Sequence, residues 1–162
     1  MEARVTASFA DDLFRSEAGE LSGFSLDKTL TAFRGRVDFY VTPDGIAMPS
    51  TAYRYMDTRY TSRTISSMSA PGSYFTFTKF DTAASARGGL QIDPIAFRND
   101  AHLRGTFDTL QLGNNWYVPK SFGGDGLDFE PITNSYPHLG PGGHPQLKTK
   151  KDIIFDEVDI IP

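Results

Sequence analysis

Three well-separated stretches carry side chains that could act together on a small anionic substrate: Tyr53-Arg54-Tyr55, the run from Gly72 to Thr78, and the run from Gly142 to Gln146. Arg54 offers a permanently charged, forked donor of the kind that grips a phosphate or a ribose. Tyr74, Phe75 and Phe77 can form a wall against a planar ring, and Thr76 can hydrogen-bond an amide or a sugar hydroxyl. Gln146 can accept a hydrogen bond from a sugar hydroxyl. Each has a plain structural alternative: Arg54 neutralising Asp57, the aromatics packing a core, Gln146 serving as an ordinary polar strand residue. Arg34 is a rival cation, and Asp108 and Glu130 are rival acids. A second constellation is His138 and His144, either side of a Gly-Pro-Gly-Gly turn, as an acid/base pair for RNA cleavage with Lys120, Lys148 or Arg104 holding a phosphate. Histidines in a polar loop are more commonly just solvated.

The order strand-Arg, strand-Ser/Thr, loop-Gln over residues 52–146 resembles the core of the ADP-ribosyltransferase superfamily. In that superfamily a first-strand Arg or His holds NAD, a Gly-x-Tyr-hydroxyl strand shapes the nicotinamide pocket, and a late Glu or Gln touches the ribose. The segment PHLGPGGHPQL resembles the part of the tuberculosis-necrotizing-toxin family of NAD glycohydrolases that carries a functional Gln. The whole chain is also similar to C-terminal toxin domains of bacterial polymorphic proteins of the Rhs or contact-dependent-inhibition type. The resemblance implies an α+β, ADP-ribosyltransferase-like fold of two small packed β-sheets with short helices and a nucleotide cleft. It implies NAD as substrate, with no metal expected from the Cys and His content, and cleavage of the nicotinamide–ribose bond by Arg54, Thr76, Gln146 and Glu130. Tyr53, Arg54, Gly72, Tyr74, Phe75, Phe77 and Arg34 would bind the dinucleotide. It further implies secretion or delivery into a target cell as part of a larger protein, action in the cytoplasm, and a cognate immunity protein. Hydrolysis is expected over transfer, because Gln146 is neutral and a poor base, with Glu130 the residue that would restore the transferase option. The competing expectations are a metal-independent RNase toxin and a non-enzymatic β-rich module that grips a partner through exposed aromatics.

Composition narrows the field further. The 162 residues suit a single domain spanning 1–162, and 39% hydrophobic with 13% aromatic content is too rich for disorder. Zero Cys excludes disulfides, thiolate metal sites and thiol nucleophiles, and the three His show no HExxH spacing. No GxSxG elbow is present, and neither GGDGLD nor GPGGHPQ leads into an apolar helix that would present amides to a phosphate. Net charge is −4 with basic residues scattered along the chain, which disfavours charge-driven binding of nucleic acid. The start, MEARVTASFADDLF, lacks the pattern of an export signal, and no apolar run reaches membrane-spanning length, so no membrane insertion is expected.

These side chains need positioning elements. Residues 1–30 read as a helical lead-in, with 6–30 giving one or two short helices broken at Gly19 and Gly23. Residues 37–50 read as a β-hairpin around Pro43-Asp44-Gly45, and TAYRYM as a strand. DTRYTSRTISSM has helical spacing, SYFTFTKF alternates as an eight-residue strand, and Asp81 or Thr82 can cap a helix through AASARGGL. LRGTFDTLQL and NNWYVPKSF read as two strands of a hairpin turning at Gly113-Asn114. Residues 123–143 read as a long mobile flap, followed by closing strands at 146–148 and in DIIFDEVDII.

Overall fold

The computed structural model describes residues 4–5, 39–41, 47–119, 133 and 136–162. The helical lead-in, Arg34, Lys120 and Glu130 lie outside the described residues, as do the tip of the first hairpin and most of the expected flap at 123–143. Within them the chain is mixed α+β, with short helices and four small sheets, all antiparallel, where two sheets are expected from the sequence.

A first sheet is made by β1 (Arg4–Val5), β2 (Phe39–Val41) and β3 (Ala47–Pro49), and β2 pairs with β3 as the Pro-Asp-Gly signal requires. The central sheet has the order β11-β7-β4, from β4 (Thr51–Met56), β7 (Leu103–Asp108) and β11 (Glu157–Ile160). Period-2 alternation divides its faces. Ala52, Met56, Leu103 and Phe107 enter one core with Phe75, Leu147, Ile153 and Phe155. Tyr55 enters a second core with Phe80, Ala83, Ala86 and Leu90. Gly105 lies opposite Arg54 in the register, and the Phe155 ring fills the space its missing side chain leaves.

Asp57 accepts from the Arg59 N–H and starts a 3-10 turn, η1 (Thr58–Tyr60), which runs into α1 (Thr61–Ser67). Thr82 caps α2 (Ala83–Leu90) by accepting from the Ser85 N–H, and α2 lays its alanines on the Tyr55 face of the central sheet. Two further sheets pack on the other face. One pairs β5 (Ser69–Ala70) with β10 (Ile153–Ile154), and the other has the order β6-β9-β8, from β6 (Tyr74–Phe75), β8 (Trp116–Tyr117) and β9 (Leu147–Thr149).

Two expectations need correction. SYFTFTKF is not one strand: β6 stops after Phe75, and Thr76 makes a single bridge to Tyr53. Beyond it, side chains take over the backbone partners, Thr76 Oγ1 accepting from the Thr78 N–H and Tyr55 Oη from the Phe80 N–H. Nor do the two stretches around Gly113-Asn114 form a hairpin. β7 ends at Asp108, whose carboxylate caps the 3-10 turn η2 (Thr109–Leu112), and β8 pairs with β9 instead.

Candidate functional site

The geometry of the site starts at one pair of residues. Tyr53 and Thr76 exchange backbone hydrogen bonds of 2.8 and 2.9 Å, the bridge that joins β4 to the end of β6. Past that point β4 and β6 diverge, because Tyr74 and Phe75 pair with Lys148 and Leu147 of β9. The split opens a cleft of about 510 Å³ along the edge of β4. The polar backbone groups of Tyr55 face the same side as those of Tyr53, by the period of two, and Asn99 Nδ2 donates to the Tyr55 carbonyl at 3.1 Å.

Arg54, Thr76 and Gln146 all line this cleft, with Tyr53, Tyr74 and Phe75. The other proposed residues do not share one environment. Tyr74 is 37% exposed, with Lys148 Nζ 4.6 Å from its ring centroid, whereas Phe75 is 2% exposed and packs edge-on against Phe107 at 5.6 Å, so its ring belongs to the core. Phe77 and Gly72 are not among the lining residues; Gly72 approaches the Thr149 backbone so closely that a Cβ there would lie 2.9 Å from the carbonyl oxygen. Thr76 is almost wholly buried, and its hydroxyl already accepts from the Thr78 N–H at 3.2 Å, leaving its proton to donate. The Gln146 side chain has no hydrogen bond to another described residue.

Arg54 donates through Nη1 to the Pro71 carbonyl. Burial, reinforced by the charge of Arg63, lowers its pKa to about 10, an effect that Asp152 partly offsets. A guanidinium with so depressed a pKa is electrostatically under-compensated, and a bound anion would relieve it. The cleft also holds Arg59, Arg63 and Arg98. Both Arg59 and Arg63 stack on the Tyr60 ring, 4.8 Å from its centroid, and Arg59 Nη2 donates to the Arg98 carbonyl at 2.9 Å. Among the described lining residues four arginines face one acid, Asp57, a local charge of +3. Asp57 lies 3.7 Å from Arg59 and already caps η1, while the other three arginines make no salt bridge among the described residues, Asp152 acting on Arg54 from beyond that range. Sequence reasoning missed this gathering, although Arg59 and Arg63 at i and i+4 share one side of a helical turn.

The three histidines stand elsewhere. His144 packs edge-on against Phe80 at 4.8 Å, shares a 3.1 Å hydrogen bond with Thr78 Oγ1, and has its pKa lowered by burial. His138 is exposed on the 3-10 turn η3 (Pro137–Leu139), and His102 Nδ1 meets the Ile161 carbonyl at 2.8 Å. None lines the cleft. Arg104, the alternative phosphate holder, is 8% exposed and committed to the Phe80 carbonyl and Asp159. Asp108 caps η2. No group of three or more metal-ligating side chains occurs among the described residues, and no helix there is long and apolar enough to cross a membrane. Compared with family models, with curated proteins and with solved structures, the chain matches none.

Proposed function

We propose that the chain is an NAD-using toxin domain that cleaves the nicotinamide–ribose bond, built on an ADP-ribosyltransferase-like arrangement of packed sheets around a nucleotide cleft. The observation that carries this reading is the meeting of Arg54, Tyr74 and Gln146, from segments far apart in sequence, in one cleft with a net positive lining. In this reading Arg54 and Arg63 hold the pyrophosphate, whose two negative charges compensate the repulsion between them. Tyr74 and Tyr136 offer ring faces to the nicotinamide or adenine. Gln146 orients a ribose hydroxyl while positive charge spreads from the pyridinium into the sugar and neutral nicotinamide departs. Water then attacks the sugar and gives up its proton to solvent, leaving ADP-ribose. Hydrolysis is favoured over transfer because Gln146 is a poor base and Asp57, the acid among the described lining residues, is engaged in capping η1. The biological setting that goes with this activity is delivery into a target cell as part of a larger exported protein, action in the cytoplasm, and neutralisation by a cognate immunity protein.

The test is release of nicotinamide from NAD by the purified domain, followed by chromatography, with total RNA as a parallel substrate. Arg54→Ala and Gln146→Ala should each lower turnover on the order of a hundredfold while leaving the fold intact by circular dichroism. A folded domain that leaves NAD untouched overturns the proposal, as does RNA cleavage that disappears in His138→Ala.

A further inference from the structure

We infer that Gln91 is a positioning residue for the proposed site, an amide latch that sets where the segment bearing Tyr136 and Gln146 stands against the cleft. Gln91 ends α2 in the left-handed conformation, with φ 53°, where Gly is the least strained residue and Asn the next. Its side chain supplies what Gly would lack. Nε2 donates to the Gly140 carbonyl at 3.1 Å and Oε1 accepts from the Tyr136 N–H at 3.0 Å, so both ends of one buried amide are used, across 49 and 45 residues of chain. The neighbouring contacts run the same way. Thr133 Oγ1 donates to the Gly89 carbonyl at 2.7 Å, and the Gly142 N–H donates to the Gly88 carbonyl at 3.1 Å. The glycines are needed for this closeness: a Cβ on Gly142, which has φ 58°, would sit 2.7 Å from Gln91 Nε2, and one on Gly140 would collide with the Gly88 backbone.

The latch therefore has a defined target. Gln91, Thr133, Tyr136 and Gln146 all line the cleft, and both ends of the Gln91 amide are already engaged by the chain itself. Its action on a substrate passes through the wall it holds. Losing it frees Tyr136 and loosens the approach to Gln146 without touching Arg54 on β4.

The part of the test that uses NAD turnover rests on the function proposed above; the part that uses amide exchange does not. Gln91→Gly relaxes the left-handed backbone while deleting the latch, and Gln91→Asn keeps a side chain suited to that conformation but too short by one methylene to span both partners. Either variant should stay folded and exchange the Tyr136 and Gly142 amides at least about tenfold faster than the parent, a gain expected when a buried bond opens locally. The KM for NAD should rise about tenfold as Tyr136 is freed, and kcat should fall about threefold to tenfold as Gln146 loosens. Exchange and KM both unchanged in the two variants would reduce Gln91 to a helix terminus and overturn the inference. Faster exchange in a domain that never consumes NAD would leave the latch standing and sink the function instead.

Discussion

Substituting Gly105 by Ala places one methyl group under the central sheet, directly across from Arg54. Its Cβ would lie 2.6 Å from Phe155 Cδ1 and 2.7 Å from Cζ, and closer still to Cε1. Carbon atoms prefer about 3.5–4.0 Å, so the ring must retreat by about 1 Å. Little allows that retreat. Phe155 is 3% exposed, its ring is edge-on to Phe107 at 6.3 Å, and its N–H is tied to the Met68 carbonyl at 2.7 Å. Overpacking of a filled core costs about 1–3 kcal/mol, and the rigid ring places Gly105→Ala in the upper half of that range. For a domain of this size each kcal/mol shifts Tm by about 2–4 °C, so the expected loss is about 4–12 °C in a melt followed by near-ultraviolet circular dichroism. Phe155→Leu, itself destabilising by leaving space, should be less costly when combined with Gly105→Ala than alone, because the two changes share the same volume. A Gly105→Ala protein melting within about 2 °C of the parent refutes the packing argument. So does a double variant whose loss is the simple sum of the two.

Two shorter predictions concern the strand beside it. Because the folded-state pKa of Arg54 is depressed to about 10, its charge is lost as pH rises through that value, well before an ordinary arginine would respond. Binding of NAD or ADP-ribose, measured by calorimetry on protein that is still folded, should weaken as pH climbs from about 9 to about 11; affinity that stays level across about pH 10 in this titration counts against Arg54 as the phosphate holder. Tyr55→Phe removes the acceptor of the buried Phe80 N–H, now 2.5 Å from Tyr55 Oη, and should cost about 1–3 kcal/mol in denaturant unfolding; a loss under about 0.5 kcal/mol would mean that the amide finds another partner.

What was legible in the chain was local. TAYRYM reads as a strand because its alternation survives in the fold, and Thr82 reads as a cap because its hydroxyl is three residues from the N–H it accepts. The helical spacing of residues 58–67 likewise holds, split between a 3-10 turn and α1. What failed was non-local. SYFTFTKF has the composition of a long strand, but Tyr74 and Phe75 are claimed by β9 and Thr76 by β4, two partners that no window of eight residues contains. Gly113 has the positive φ of a turn residue, yet the turn leads away from β7, because β8 finds its partner more than thirty positions later. Of the cleft lining, Arg54, Thr76 and Gln146 are identifiable by type and order. The basic lining was not, since Arg59, Arg63 and Arg98 are brought to Arg54 by η1, α1 and the turn after α2. Residue type alone offers Phe75 and Phe77 alike as wall, but the Phe75 ring also fills the core and Phe77 packs against that core outside the cleft, because the sheet packed behind a short strand decides which face is buried.

If the cleft takes a nucleotide, the gathered arginines would also sort visitors by size. The described lining carries +3 on a chain of net charge −4, so the remaining residues carry −7. At physiological ionic strength a charge is felt over about 8 Å, so a compact dianion at the mouth responds mainly to the arginines and is drawn inward. A long polyanion spans more surface than that and meets the acidic remainder as well. On the function proposed above, the cleft would speed the arrival of a small nucleotide while the net negative remainder disfavours nucleic acid, and added salt should slow the first encounter and ease the second.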